Sequence, residues 1–313
     1  MKIGRFVGSL LGRPRVRIIN FVSTHPNIGN YTPVWGIWRM LPGLQPTIQI
    51  DCRQFGRVSA RDYDVAIVGG GGLLHAVFEP FWEWLSRQSL PLVLWGIGGC
   101  WPAEGTLWRS RNASEGCVAP SILKRMKKQI VLANVRDALT RDSYDLDADI
   151  SFCPTAEYFK AERRSLGRGT EVLYAHHDEL VTDRERDEIV RYCSLDTSNI
   201  AQARETFVRI LQKYRRAEVI VTSRLHGAII ANSLGRPYVA LIRDRKFDEF
   251  HATYGYGVAC DSLAQLPARI EAARRLPAAR EIDYQAIEAF GRKTMGCLET
   301  LSSATPRSLG WRS

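Results

Sequence analysis

The chain has 313 residues, 45% apolar and 24% charged, the profile of a folded globular protein with one large or two medium domains. No apolar run reaches the roughly 18 residues that span a bilayer, so an integral membrane protein is excluded. The formal charge of +10, from 43 basic and 33 acidic residues, suits an anionic small substrate, an anionic surface or a nucleic acid. No zinc-finger spacing, RNA-binding aromatic block or long basic helix accompanies it, so no nucleic-acid partner is expected.

The cysteines at 52, 100, 117, 153, 193, 260 and 297 are odd in number and never paired as C-x-x-C. That pattern argues against a disulfide framework or a structural zinc site and for a reducing, cytoplasmic setting. The start carries no convincing signal peptide: arginines at 5 and 13 break its apolar stretch and no small-residue cleavage site follows.

Residues 1–15 form an expected basic extension. Ile3, Phe6, Val7, Leu10 and Leu11 recur at helical spacing, edged by Lys2, Arg5 and Arg13 and ended by Gly12 and Pro14. Two readings stand: a helix docked on the protein's own core, or a reversible contact with an anionic membrane surface at the inner face of the cell membrane.

From Val16 onward, strand, loop and helix repeat. Strands are expected at 16–22, 47–50, 64–68, 92–95 and 130–134. The third runs into a glycine loop at 69–72 and the fourth into another at 96–99, with a helix carrying Phe78, Phe81, Trp82 and Leu85 between them. A polar stretch at 160–169 has the composition of a linker. The pattern then restarts with strands at 171–175, 218–222 and 238–242, a helix marked by Ala203, Phe207, Ile210 and Leu211, and another at 228–234 closed by Gly235. Alternation of this kind predicts an α/β protein of two Rossmann-like domains with parallel sheets facing a cleft, 16–160 and 170–313.

Ligands of open parallel sheets bind outside the carboxyl ends of the strands, and here those ends are rich in glycine, arginine and histidine. Glycines 69–72 allow close backbone approach to an anion, although they lack the lysine and the spacing of the nucleotide-binding loops. Thr222-Ser223-Arg224-Leu225-His226-Gly227 is the most informative segment. Its polar side chains lie between a buried strand and an apolar helix whose N-terminus favours a phosphate or carboxylate. Arg224 can grip an oxyanion with two donors, and His226 can move a proton near neutral pH.

The run TSRLHGAIIANSLGRPYV at 222–239 resembles the signature of the polysaccharide pyruvyl transferases. Asn27-Ile28-Gly29, the glycines at 69–72, Gly96-Ile97-Gly98 and Val135-Arg136-Asp137 are similar to other blocks of that family in the same order, with Asn30 where the family commonly has aspartate. The resemblance covers about residues 16–250. It implies a GT-B-like fold with the acceptor on the N-terminal domain and the donor, phosphoenolpyruvate, on the C-terminal one. The implied product is a pyruvate ketal on a sugar of a bacterial polysaccharide or its lipid-linked precursor, with phosphate released.

That reaction needs cations for a phosphate and a carboxylate, for which Arg224, Arg136 and Lys246 are the candidates. Protonation of the methylene carbon falls to His226. Activation of the sugar hydroxyls falls to His177, with His25 behind it. Ser223, Asn27, Gly29, Gly70 and Gly71 complete the expected substrate contacts. No cofactor and no metal are expected, since His176-His177 lacks spaced further ligands. Two other readings fit the same residues: a nucleotide-sugar glycosyltransferase of the same shape, and a non-catalytic scaffold in glycan assembly, against which the retention of both Arg224 and His226 argues.

Overall fold

A computed structural model describes residues 16–44, 46–100, 116–177, 181–202, 205–276 and 281–304. The basic extension at 1–15 lies outside the described residues, as does Ala203 of the expected helix. In chain order, the first half contains β1 (Ile18–Val22), α1 (Ile28–Arg39), β2 (Ile48–Asp51), β3 (Val65–Leu74) and α2 (Glu79–Leu85). There follow β4 (Leu92–Gly99), α3 (Pro120–Arg125), β5 (Ile130–Val135), α4 (Ala138–Ser143) and β6 (Asp149–Ile150). Helix α5 (Thr155–Ser165) leads into the second half, with β7 (Glu171–Ala175), α6 (Asp183–Val190), β8 (Leu195–Thr197), α7 (Phe207–Arg216), β9 (Ala217–Thr222) and α8 (Leu225–Ser233). The chain continues through β10 (Tyr238–Ala240), α9 (Arg245–Tyr254), β11 (Gly257–Ala259), α10 (Leu266–Arg274) and α11 (Tyr284–Ala304).

The strands form two sheets, ordered β2-β1-β3-β4-β5-β6 and β11-β10-β9-β7-β8, and every pairing is parallel. β1 and β4 are buried along their whole length, because helices cover both faces of a parallel sheet. On one face of the first sheet, Phe21, Phe81 and Trp82 share a core, and the Trp82 indole N–H donates to the Leu73 carbonyl at 2.7 Å. In each sheet the chain moves to one side and then the other, so there is a switch point between β1 and β3 and another between β7 and β9. These crevices are where open α/β sheets take their ligands.

Four sequence expectations change. The glycine runs are strand, not loop: β3 extends through Gly69–Gly72 to Leu74, and β4 through Gly96 to Gly99. Both pairings shift register within those runs, between Gly71 and Leu74 and between Trp95 and Ile97. The polar stretch at 160–169 is helical as far as Ser165, and α5 packs on both α1 and α8. The short strands β6, β8 and β11 were not expected. Helix α11 is shared between the halves: Ile287 belongs to a core of the second half, while Phe290 and Leu298 join Ile18, Ile37 and Trp95 in a core of the first.

Helix α1 ties the halves together. Its first residue, Ile28, is buried in the core of the second half beside Leu225 and Ile229. Farther along, Tyr31 stacks on Phe207 with ring centroids 4.6 Å apart, and Trp35 meets Tyr158 at 5.0 Å.

Candidate functional site

A cavity of about 410 Å³ opens between the two sheets. Its walls are the loops at the two switch points. Ser23, His25, Asn27 and Asn30 follow β1, and Gly72, His75, Val77 and Phe78 come from the end of β3 and the loop beyond it. From the second half come His177 after β7 and Ser223, Arg224, Leu225 and His226 after β9. Arg136 at the end of β5 and Asp244 and Lys246 after β10 close the ring.

The structure therefore brings together His226, His177, Arg224, Ser223, Arg136, Lys246, Asn27 and His25. Gly29, Gly70 and Gly71 do not line the cavity. Gly70 and Gly71 have positive φ within β3, and a Cβ on Gly70 would press on Val34 and Pro33 of α1. The missing side chain at Gly70 lets α1 approach the strand. Gly29 instead backs onto the His226 ring. Five polar cavity residues were missed from the sequence: Ser23, Arg53, His75, Asn30 as a contact, and Asp244. His75 is the first polar residue after the glycine strand and would have been found had 69–74 been taken as strand. Arg53 has no distinct signal of its own, since it forms a two-pronged pair with Asp51 two residues before it.

Local chemistry explains each placement. Arg224 precedes α8 in extended conformation, and its Nε donates to the His176 carbonyl at 2.5 Å, which fixes its guanidinium across the β7 end. Thr222 Oγ1 receives the Arg224 N–H, and Gly227 presses so closely on Thr222 that a Cβ there would lie 2.1 Å from that oxygen. The small residue in this motif is thus a packing requirement. Ser223 Oγ accepts the His177 N–H at 3.0 Å, coupling the two exit loops. Asp137 caps α4 by accepting the Thr140 N–H at 2.6 Å, leaving its neighbour Arg136 turned into the cavity wall. Lys246 Nζ lies 3.2 Å from Asp244, the one acid among the described lining residues.

Arg136 is buried, and its Nε and Nη1 have no hydrogen-bond partner among the described residues; the same holds for His226 Nε2. Buried polar groups in native proteins are almost always paired, so these atoms stand out on two residues that line the cavity. Burial, followed by the nearby Arg136, Lys246 and Arg224 charges, pushes the His226 pKa far below that of an ordinary histidine. Burial and then Arg224, Lys246 and His176 push His177 down to about 2. Both shifts favour the neutral imidazole. An arriving anion would offset those cations and raise both values. Among the described residues no three His, Cys, Asp or Glu side chains gather as metal ligands.

Two parallel-sheet units meeting across a cleft at their switch points define the GT-B-like class. Solved structures agree. The UDP-GlcNAc 2-epimerase of Methanocaldococcus jannaschii, in complex with UDP-GlcNAc and UDP, matches with a TM-score of 0.55 at 12% identity over 91% of this chain and 99% of its own. The UDP-GlcNAc 2-epimerase of Neisseria meningitidis bound to UDP-GlcNAc matches with a TM-score of 0.52 at 9% identity, covering 91% of this chain and 100% of its own. At such identities the likeness is one of fold. No curated protein matches the chain. The family model for polysaccharide pyruvyl transferase matches residues 14–245, and the chain belongs to that family, one of transferases. No helix among the described residues is long and apolar enough to cross a membrane.

Proposed function

We propose that the protein transfers the pyruvyl group of phosphoenolpyruvate to two hydroxyls of one sugar, on a polysaccharide or its lipid-linked precursor, forming a ketal and releasing phosphate. The observation that carries this reading is the group of three cations, Arg136, Arg224 and Lys246, around two neutral histidines, with buried donors on Arg136 left unpaired among the described residues. A donor bearing both a carboxylate and a phosphate matches that charge and that number of cations.

In this reading the first hydroxyl adds to the central carbon of the donor as the methylene carbon takes a proton from His226. His226 acquires that proton when the donor's negative charge enters beside it. His177, held neutral, accepts the hydroxyl proton. Phosphate then leaves, and the second hydroxyl closes the ring. His226 supplies the methyl proton and the two hydroxyls release two: one leaves with the phosphate, and the other, taken by His177, returns through solvent to His226, so the protons balance. The acceptor enters from the side of the first half, past His25, Asn30, Arg53 and His75.

Titration calorimetry tests the donor assignment. Phosphoenolpyruvate should bind with one site per chain, and UDP-GlcNAc should give no heat. The reverse result would overturn the assignment in favour of a nucleotide-sugar donor.

A further inference from the structure

We propose that Asn199 is a positioning residue for His226: its left-handed backbone docks the 25–30 loop on the second half and so sets Gly29 against the imidazole. The inference rests on the reading of His226 as the proton carrier. Asn199 is fully buried with φ +65°, a region that asparagine enters more readily than other residues bearing a side chain. In that conformation its carbonyl accepts the Ile28 N–H at 2.8 Å. The next residue pairs with Asn27 in an antiparallel bridge, and the Ala201 N–H donates to the Pro26 carbonyl at 2.7 Å.

The second half holds Asn199 firmly from behind. The Tyr214 hydroxyl donates to its Oδ1 at 2.8 Å, and its own N–H donates to Thr197 Oγ1 at 3.1 Å. In front, the Asn27 side chain accepts the Gly29 N–H at 2.9 Å, which shapes the first turn of α1. Gly29 then approaches His226 so closely that a Cβ would stand 2.4 Å from the ring's Cγ and 2.7 Å from Nδ1. One continuous path of contacts therefore runs from Tyr214 through Asn199, Ile28 and Gly29 to the imidazole. The groups facing that ring electrostatically are Arg136, Lys246 and Arg224, which belong to other loops.

The experiment is nuclear magnetic resonance of the full chain labelled with ¹⁵N-histidine, the His226 signals being assigned by their loss in His226→Gln. Asn199→Ala, which disfavours positive φ, should move the His226 ring signals, whereas Asn199→Gly, which tolerates it and loses the Tyr214 bond alone, should move them less. Tyr214→Phe should move them in the same direction by less, and it decides the matter if Asn199→Ala does not fold. Unmoved signals in Asn199→Ala, or in Tyr214→Phe where that variant decides, overturn the proposal, as does an equal shift in Asn199→Gly and Asn199→Ala. In turnover with phosphoenolpyruvate, Asn199→Ala should lower kcat by about ten- to a hundredfold with KM for the donor little changed, the usual cost of a small misplacement. A raised KM at unchanged kcat would overturn it. The ring signals are read without any donor, so failure of the proposed reaction and failure of this inference are told apart.

Discussion

His226 and Arg224 are adjacent in purpose but differ in what each can lose. A general acid contributes about two to four orders of magnitude, so His226→Ala should lower kcat by about that much while phosphoenolpyruvate still binds in calorimetry; turnover within a few-fold of the parent would remove the acid role. Arg224→Lys keeps the charge but not the planar fork, and its Nε bond to the His176 carbonyl cannot be rebuilt by an ammonium in the same position. The expected outcome is a weaker calorimetric affinity for phosphoenolpyruvate, by about tenfold, the equivalent of about 1.4 kcal/mol; unchanged affinity would shift the grip to Arg136. These residues were legible because a polar motif between a buried strand and an apolar helix has little to gain from packing alone. Arg53 and His75 were not, because the first lies near an acid that accounts for it as an ordinary ion pair, and the second follows a strand that its glycines concealed.

At the scale of elements, strands rich in Val, Ile and Leu declared themselves, whereas the glycine strands did not. Glycine weakens a strand locally, and only the neighbouring strand and α1, pressed onto the backbone at Gly70, make 69–74 extended. Strands of two or three residues, such as β6 and β8, are too short to show a period and exist because a neighbouring strand offers a ladder. The return of α11 to the first half was hidden for a related reason: an apolar face shows that a helix is covered, not by which sheet. Phe290 packs edge-on to Trp95 with centroids 5.1 Å apart and is almost wholly buried. Phe290→Ala should therefore cost about 3–5 kcal/mol in urea unfolding. A loss below about 1 kcal/mol would show that α11 is not part of the first half's core.

For the whole molecule, two neutral histidines in a cationic cleft link stability to pH. In the unfolded chain a histidine binds a proton below about pH 6.5, while in the folded chain His226 and His177 remain neutral well below that. The unfolded state thus binds more protons there, and stability falls as pH falls from about 6.5 toward the folded-state values, by at most about 1.4 kcal/mol per pH unit for each group. Urea midpoints measured from pH 7.5 to 5.5 should decline in the parent and decline less in a His177→Gln, His226→Gln double variant; parallel curves would contradict the neutral state. Inorganic phosphate should flatten the parent's decline, because an anion in the cleft lets the folded histidines hold protons as well.

The tie made by α1 also has a consequence for how the protein is born. Ile28, Tyr31 and Trp35 find their partners in Leu225, Phe207 and Tyr158, residues far later in the chain. At about 5–20 residues per second of synthesis, the gap between Tyr31 and Phe207 amounts to roughly ten to forty seconds on the ribosome. During that interval the first sheet can assemble, but Ile28 and Tyr31 of its earliest helix lack the second-half residues that cover them. A nascent chain stalled before residue 207 should accordingly present a greasy stripe to chaperones, and release of the chaperone should coincide with emergence of the second sheet.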